Sequence, residues 1–570
     1  MITKNIKHNM VVLAMGCGIA FTTVGCNDFL DVLPLNEVVL ENYWTKKSDV
    51  TSVLMGCYES LAAGESVTRM GLWGEVRSDN VKMGNSSSQD LEQMLKENIL
   101  PTNNYCNWTA FYQTINRCNT VIHYAPQVQA IDPNYTQAEM KANIAEATFI
   151  RSLCYFYLIR TFRDVPFTRK PSIDDTEEYR IPADSFNVVL GNIIADMEAV
   201  KDDAQMYFRK PKSDSNVRDA AELENTARVT RPAMYALLAD LYLWKGDWDK
   251  CIASCDYVIS FKQEEYDKLL KRRLQNEVQL FNDIPLYLEE ISSISGYAYN
   301  AIFGQGNSFE SIFEITYDNS NSSNPTNSYV GSFYSHRNNN ALTSGNLVTM
   351  EEFYKGLPQK KTDLFDTKDC RAYENIYENG KSYWIAKYSS QSTRIEKTTS
   401  TWRPVYSWRS SDFASWIIYR LTDVMLMKAE ALVEQGSDKY QDAFDLVNAV
   451  NRRAVNSKTP GTGEVLTFAD FKNSLDDMRT LVMDERHREL MFEGKRWYDL
   501  VRMARRTGST KSLAKTVTQK QLTNIGGIQI RLADPNALYF PYFRNELKVN
   551  PYLKQNPAYN TGGDDDLEKN

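Results

Sequence analysis

A helix, a glycine-containing turn and a second helix within residues 230–260 constrain the fold of this chain more than any other feature. The segment reads TRPAMYALLADLYLWKGDWDKCIASCDYVIS, with Pro232 where a helix can begin and KGDW as the turn. Residues 416–454 repeat the design around EQGSDKY. One such pair cannot bury its apolar faces alone, so the sequence predicts several helix pairs that stack on one another.

Helical patterning extends well beyond these two pairs. Residues 139–162 place apolar side chains at steps of three and four, which makes one apolar helix face. A helix–turn–helix unit of about thirty residues is typical of tetratricopeptide-like repeats. We therefore expect a mostly α-helical chain in which residues 46–260 and 411–506 form a tetratricopeptide-like scaffold. Residues 507–570 are expected to be an irregular C-terminal segment of a single domain, residues 46–570.

Residues 261–410, between the helical blocks, are expected to form a loop-rich insertion. Of the 120 residues from 297 to 416, 22 are aromatic, against 12% of the whole chain. Residues 319–340 are rich in Asn and Ser, which predicts turns and no helix. Flat aromatic faces beside amides and hydroxyls match the C–H patches and hydroxyls of sugars. The same rings would also suit a core of the insertion, so composition leaves both interpretations open.

The N-terminus predicts an export signal. Residues 1–25 combine two early lysines with an apolar run over residues 11–21, which is too short to span a bilayer. Gly25 precedes Cys26, and the chain turns polar directly after this cysteine. This pattern predicts a lipoprotein signal peptide, a lipid on Cys26 and a tether over residues 26–45. The alternative is an ordinary signal peptide with an incidental cysteine.

Charge and motif content argue against several classes of function. The net charge of −8 and the lack of a long basic run disfavour nucleic acid as a partner. The motifs HExxH, GxSxG and GxxxxGK[ST] are missing, so the sequence predicts no catalytic residue, no metal site and no cofactor. Glycoside hydrolysis needs only two suitably spaced carboxylates, and 73 acidic residues leave that alternative open. No CxxC occurs, so neither a disulfide scaffold nor a zinc ribbon is expected.

The stretch DERHRELMFEGKRWYD, residues 484–499, combines acids, bases and a histidine as an active site would. Residues suited to a helix interface nevertheless recur there at steps of four and three: Met483, His487, Leu490, Gly494, Trp497 and Val501. This spacing predicts one buried seam in which His487 is a core histidine and not a base. The charged residues are expected to leave the seam and pair locally, as Asp484–Arg488, Arg486–Glu489 and Glu493–Arg496.

Five stretches in chain order resemble the SusD/RagB family of outer-membrane lipoproteins. They are CNDFLDVLPLNEV, SIFEITYDNS, LTDVMLMKAEALVEQG, DERHRELMFEGKRWYDLVRM and LYFPYFRNELKVNPYLKQNPAY. The resemblance spans nearly the whole chain after Cys26. It implies a non-catalytic, cell-surface protein that captures glycans for a SusC-like TonB-dependent transporter. It also implies a helical SusD-like fold of tetratricopeptide-like units that supports a more irregular binding half.

The resemblance further implies a ligand site that combines early loops with loops of the insertion. The candidates from two early loops are Trp73, Arg77, Asp79, Asn80, Tyr105 and Trp108. The insertion contributes Tyr334, Trp384, Trp402, Trp408 and Arg409. Rings of these residues would stack on sugar faces, and the polar groups would bind sugar hydroxyls. Trp108 alternatively belongs to the helix that follows it, where its side chain would be buried.

Two hypotheses from other classes stay open. Tetratricopeptide-like scaffolds often bind peptides, which would make the chain a protein-binding adaptor. The third hypothesis is a surface glycoside hydrolase. The aromatic insertion favours glycan binding over the adaptor, while the identity of the glycan and the presence of a structural calcium are left open.

We predict that Cys26→Ala releases the protein from membranes, because a diacylated cysteine supplies the two-chain anchoring that one acyl chain cannot give. The measurement is fractionation of cells that express each form, with labelled fatty acid as a second readout. Cys17→Ala is the matched control and should stay membrane-bound. A Cys26→Ala protein that remains in the membrane and still incorporates the label would contradict the lipidation.

Overall fold

The computed structural model describes residues 43–173, 180–212, 220–291, 294–318, 326–338, 341–353, 364–365, 369–397, 402–410, 412–455, 466–520 and 523–560. This part of the chain is mostly helical, which confirms the predicted fold class. The predicted signal peptide, Cys26 and most of the tether lie outside the described residues. Within these ranges no helix is both long and apolar enough to cross a bilayer.

The longer helices form the scaffold in stacked pairs. They are α1 (Lys47–Ala62), α2 (Gly64–Glu75), α3 (Thr109–Ile131), α4 (Gln137–Phe162), α5 (Phe186–Val200), α6 (Arg231–Lys245), α7 (Trp248–Glu265), α8 (Leu421–Gln435), α9 (Tyr440–Ala454), α10 (Leu475–Leu490) and α11 (Arg496–Thr507). Helix α3 packs on α4, α6 on α7, and α8 on both α7 and α9. Gly246, in the KGDW turn, ends α6 with a φ of +79°, a conformation that favours glycine. The predicted helix pairs are therefore confirmed.

Shorter helices connect and flank these pairs. They span Gln89–Leu95, Glu224–Ala227, Lys271–Leu274, Tyr297–Tyr299, Ser328–Phe333, Cys370–Asn375, Phe468–Phe471, Lys511–Val517, Ile525–Leu532 and Arg544–Val549. Ser328–Phe333 lies inside the Asn- and Ser-rich stretch that was expected to lack a helix, and the side chain of Asn327 caps its first turn. The C-terminal segment, expected to be irregular, contains the helices Lys511–Val517 and Ile525–Leu532, which bury apolar residues at four-residue steps.

The insertion consists largely of β-hairpins. Its strands, with β1 from the N-terminal third, are β1 (Val81–Met83), β2 (Val278–Phe281), β3 (Ile284–Tyr287), β4 (Glu290–Ile291), β5 (Ile294–Ser295), β6 (Ser311–Ile315), β7 (His336–Asn338), β8 (Ala341–Thr343), β9 (Leu347–Thr349), β10 (Ile376–Asn379), β11 (Ser382–Ile385), β12 (Ser390–Lys397), β13 (Trp402–Trp408) and β14 (Trp416–Arg420). Consecutive strands pair as antiparallel hairpins, except that β6 pairs with β14 and β1 with β9. The β1–β9 pair joins the insertion to the N-terminal third.

The charged motif at residues 484–499 occupies two helices instead of one. Helix α10 ends before Gly494 and α11 begins after it, and Gly494 has a φ of +67°. A Cβ atom on Gly74 of α2 would lie 1.7 Å from the carbonyl oxygen of Gly494, so the two backbones are in direct contact there. His487 is only 5% exposed, which confirms that it is a core histidine.

Charged side chains of this motif pair across the fold, which corrects the predicted local pairing. Arg486 of α10 binds Asp499 of α11 and Asp423 of α8, each at 3.0 Å. Arg496 binds Asp79 of the N-terminal third at 2.9 Å. Local pairing fails for Arg486 and Arg496 because they are buried, and a buried charge is tolerated only with partners that neighbouring elements bring to it. Arg488, by contrast, does pair locally, with Glu485 at 2.8 Å.

Glu489 is the centre of a buried cluster of ion pairs. Its carboxylate lies 3.0 Å from Arg371, 2.6 Å from Arg420 and also in contact with Arg453. Burial alone would raise the pKa of Glu489, but the three arginines hold it well below its usual range. Arg371 belongs to the helix Cys370–Asn375, Arg420 to the end of β14 and Arg453 to α9. One carboxylate therefore joins the insertion to the scaffold.

Glu493 extends this cluster towards the hairpins. It pairs with Arg420 and with Lys387, each at 2.7 Å, and Lys387 lies between β11 and β12. The Lys387 amine also donates to the carbonyl oxygens of Glu489 and Met491, each at 3.0 Å. We name the whole set, Arg371, Lys387, Arg420, Arg453, Glu489 and Glu493, the ion network.

We predict that Glu489→Gln lowers the free energy of unfolding by about 3–5 kcal/mol, because buried guanidinium groups lose their charged partner. The control Glu92→Gln removes an exposed pair with Lys96 and should cost less than about 1 kcal/mol. Urea unfolding at neutral pH measures both variants. Because the pKa of Glu489 is lower in the folded state, its ionised carboxylate stabilises the fold at neutral pH. This stabilisation is lost as the pH falls from the pKa of Glu489 in the unfolded chain to its pKa in the folded protein. Equal costs in the two variants would contradict the special role of the ion network.

Candidate functional site

Two of the early-loop candidates are buried in the core. Trp73 is 0% exposed, stacks on Phe111 at 4.9 Å and donates its indole N–H to the carbonyl oxygen of Tyr105 at 2.8 Å. Arg77 is 1% exposed and donates to Glu97 Oε2 at 2.9 and 2.6 Å. The expected glycan contacts of both are corrected, because α2 continues into the predicted loop and turns these side chains inward.

Asp79 and Asn80 support α10 and α11 instead of a ligand. Asp79 accepts hydrogen bonds from Arg496 at 2.9 and 3.0 Å. Asn80 donates to Glu75 Oε1 at 2.6 Å and accepts from His487 Nε2. Burial and the charge of Arg496 lower the pKa of His487 to about 3, so its imidazole is neutral at physiological pH. Both glycan-binding candidates are corrected to structural residues that are less than a tenth exposed.

Three aromatic candidates lie wholly or partly in the core. Trp108 is 4% exposed and packs edge-on against Phe162 at 5.0 Å, so its side chain is buried, as the alternative prediction stated. Tyr334 is 0% exposed and donates its hydroxyl to the carbonyl oxygen of Phe492 at 2.7 Å. These two expectations are corrected, because a ring without an exposed face cannot stack on a sugar. Tyr105 packs against the core but keeps a half-exposed ring, and it stays a candidate.

Two insertion candidates meet in a group of partly exposed rings. Trp408 stacks on Tyr406 at 5.2 Å, with an angle of 22° between the ring planes. Tyr377 meets both rings edge-on, with its centroid 5.2 Å from each. Trp384 lies 5.9 Å from Tyr377. We name these residues, Tyr377, Trp384, Tyr406 and Trp408, the aromatic cluster; each is half-buried.

Strand geometry explains how the aromatic cluster forms. Tyr377 and Trp384 lie directly opposite each other in the β10–β11 hairpin. Tyr406 and Trp408 are two residues apart on β13, and alternate residues of a strand share one face. The hydroxyl of Tyr406 lies 2.6 Å from the carbonyl oxygen of Tyr373, which fixes the second hairpin against the segment that leads into the first. Two separate hairpins therefore supply one aromatic surface.

Polar groups continue the surface of the aromatic cluster. Asn379 and Ser382 form the cross-strand pair nearest the turn of the β10–β11 hairpin, and both are exposed. They are two positions from the rings of that hairpin, so they share the face that carries them. An amide and a hydroxyl thus lie beside half-exposed rings, which is the combination that a sugar ring requires.

Of the two remaining insertion candidates, the structure describes the side chain of Arg409 but not that of Trp402. Arg409 donates to the carbonyl oxygen of Tyr388 at 2.9 Å and to those of Phe303 and Gly304 at 2.7 and 2.6 Å. These bonds fix the chain at the end of β13, so its expected role as a ligand contact is corrected to one of support. Trp402 begins β13, but its side chain lies outside the described residues.

Tyr377 and Tyr406 are not among the sequence-based candidates, although two signals mark them. Gly380 and Lys381 form the two-residue loop of the β10–β11 hairpin, with Gly380 at a φ of +66°, and this register sets Tyr377 opposite Trp384. The spacing of Tyr406 and Trp408 by two residues is the strand period. Over the described ranges no group of three or more His, Cys, Asp or Glu side chains is placed to hold a metal ion.

Comparison with known proteins relates both halves of the chain to one family. A sequence model of the SusD family matches residues 309–559. A second model, described as starch-binding associating with outer membrane, matches residues 28–243. SusD-like protein P38 of Formosa agariphila is 23% identical over 580 residues, which cover 98% of this chain and 99% of the relative.

Solved structures share the fold of this chain. A SusD superfamily protein from Bacteroides thetaiotaomicron has a TM-score of 0.63 at 18% identity, covering 90% of this chain and 100% of its own. A laminarin-binding SusD-like protein has a TM-score of 0.59 at 20% identity, with coverage of 90% and 100%. At identities this low, the structural similarity establishes the common fold, and the ligand depends on the chemistry of the site itself.

Proposed function

The chain belongs to the SusD/RagB family, and we propose that it is a cell-surface lipoprotein that binds a glycan and delivers it to a SusC-like TonB-dependent transporter in the outer membrane. It binds the glycan without cleaving it. The observation that carries the proposal is the aromatic cluster with Asn379 and Ser382 at its edge. The similarity to a laminarin-binding protein of the same fold supports a glycan as the ligand.

The chemistry of the aromatic cluster suits a sugar. Stacked rings such as Tyr406 and Trp408 present a flat apolar face, and each aromatic contact contributes about 1–2 kcal/mol by analogy with other ring contacts. The rings are already packed against one another in the free protein, so binding costs little side-chain entropy. Neighbouring amide and hydroxyl groups replace the water that sugar hydroxyls lose on binding.

The placement of carboxylates supports binding without cleavage. A glycoside hydrolase holds two carboxyl groups about 5–10 Å apart around the scissile bond. Among the described positions of the four strands β10 to β13, the acidic residues are Glu378 and Glu396. Both occupy positions that alternate with the ring positions, so they lie on the opposite faces of their hairpins. The acids of the motif at residues 484–499 are largely buried and tied into the ion pairs described above.

Delivery to a transporter follows from the predicted anchor. A lipid on Cys26 would hold the protein at the outer membrane, and captured glycan must still pass through it. The description of the family model that matches residues 28–243 refers to association with the outer membrane, which supports this location. A tether of residues 26–45 would let the domain move relative to the transporter while it stays attached, and ligand would favour the state that it contacts most.

We predict that Trp408→Ala weakens polysaccharide binding by about tenfold, because it removes one face of the stacked pair. The measurement is affinity electrophoresis on a panel of polysaccharides, followed by calorimetry with a retained glycan and detergent-purified full chain. Trp248→Ala, which truncates an equally half-buried tryptophan on α7, is the matched control and should leave the affinity unchanged. Neither variant should release reducing ends.

Three results of this experiment would contradict the proposal. Equal affinity of the wild type and Trp408→Ala for every retained glycan would remove the aromatic cluster from the site. Retention on no polysaccharide of the panel would favour the adaptor hypothesis, in which the helix pairs bind peptides. Release of reducing ends by the wild type would favour a glycoside hydrolase.

We also predict that native membranes solubilised in mild detergent yield this chain in complex with a large β-barrel protein, because an anchored binder needs a channel for its ligand. Blue-native electrophoresis and mass spectrometry of the complex provide the measurement. The released Cys26→Ala form is the control and should give less complex. Migration of the wild type as a lone species under all gentle conditions would contradict the partnership.

A further inference from the structure

A second cavity lies between the scaffold and the insertion, lined by other residues than the aromatic cluster. Its volume is about 240 Å³, and its walls come from residues 206–211, the end of α7 and residues 301–312. That volume holds about eight water molecules at roughly 30 Å³ each. We name it the α7 cavity. Its size suits one small ligand.

Aromatic rings form one side of the α7 cavity. Tyr207 and Phe261 lie with their ring centroids 5.4 Å apart, at an angle of 39°. Phe309 adds a third ring, and the Lys262 amine lies 5.1 Å from its centroid. Such walls offer apolar faces to the C–H side of a ring-shaped ligand.

A buried carboxylate and a half-buried phenol also line the cavity. Glu265 is 7% exposed and binds Lys262 through Oε2 at 3.0 Å, while its Oε1 has no hydrogen-bond partner among the described residues. Tyr207 is half-buried and lines the same cavity, and the hydrogen bonds among the described residues include none from its hydroxyl. Burial and the charge of Glu265 raise the pKa of Tyr207 well above its ordinary value, so the hydroxyl keeps its proton. Glu265 and Tyr207 therefore present an acceptor and a donor beside the rings.

The charges that line the cavity restrict the ligand. Glu222 and Arg273 form a second buried pair at 3.1 Å, and Glu277 adds a further carboxylate. With Lys262 and Glu265 included, three carboxylates face two cations, and both cations are already paired. An acidic ligand would thus bring a charge to a site with no unpaired cation among these residues.

We propose that the α7 cavity binds a single neutral hexose, with its C–H face on the rings of Tyr207 and Phe261 and its hydroxyls on Glu265 and Tyr207. This second site holds one sugar unit, whereas the aromatic cluster is an open surface suited to a chain. The inference does not depend on the proposed function, because the two sites share no residue.

Saturation-transfer NMR of the detergent-purified full chain tests the inference. The probes are glucose, galactose and mannose, with glucuronate as the acidic comparison. At least one neutral hexose should bind with a millimolar Kd, and glucuronate should bind at least about tenfold more weakly. Tyr207→Ala and Glu265→Gln should each weaken hexose binding by at least about tenfold, because they remove a stacking face and a charged acceptor.

Two further variants keep the test decisive. Tyr207→Phe retains the ring and loses only the hydroxyl, so it should fold normally and still weaken binding. Trp248→Ala, at a half-buried tryptophan that belongs to neither site, should leave hexose binding unchanged. The inference is overturned if no neutral hexose binds, if glucuronate binds best, or if Tyr207→Phe and Glu265→Gln both retain the wild-type affinity.

Discussion

The carboxylate of Glu489 determines how the two halves of this molecule meet. Arg371, Arg420 and Arg453 reach it from the insertion, from the end of β14 and from α9. Moving such charges out of water is costly, and only well-oriented pairing offsets that cost. Because guanidinium groups bind carboxylates directionally, the ion network fixes the orientation of the insertion on the helix pairs. Apolar side chains of the same volume would hold the two halves together, but they would not fix the angle between the insertion and the helix pairs so strictly.

The aromatic cluster takes its position from this network. Lys387, between β11 and β12, is held by Glu493 at 2.7 Å, directly at the base of the hairpins that carry the rings. Arg371 belongs to the short helix that leads into β10 and so to Tyr377. The ion pairs therefore fix the ends of the strands that carry the rings, and such support preorganises a binding surface. In the proposed function, the scaffold provides rigidity and the hairpins provide recognition.

Local sequence patterns predicted the scaffold correctly, and long-range relations account for what they missed. The helix pairs follow from three- and four-residue spacing, and the tight Gly74–Gly494 contact agrees with a glycine in the predicted seam. The ion pairs of Glu489 could not be predicted, because its partners are distant in sequence. Residue type alone also does not show whether a charged side chain is buried or exposed. Trp73 was misassigned for a related reason, since residue type alone does not show which way a helix face turns. Gly380, by contrast, was present in the sequence as a hairpin-turn signal between Tyr377 and Trp384.

A structure of the full chain with a bound oligosaccharide, determined by crystallography or cryo-electron microscopy, tests most directly whether the aromatic cluster is the glycan site. We expect a sugar ring against the half-buried rings of Tyr406 and Trp408, with hydroxyl groups hydrogen-bonded to Asn379 or Ser382. An oligosaccharide bound along the scaffold helices, with the aromatic cluster still facing solvent, would contradict this assignment.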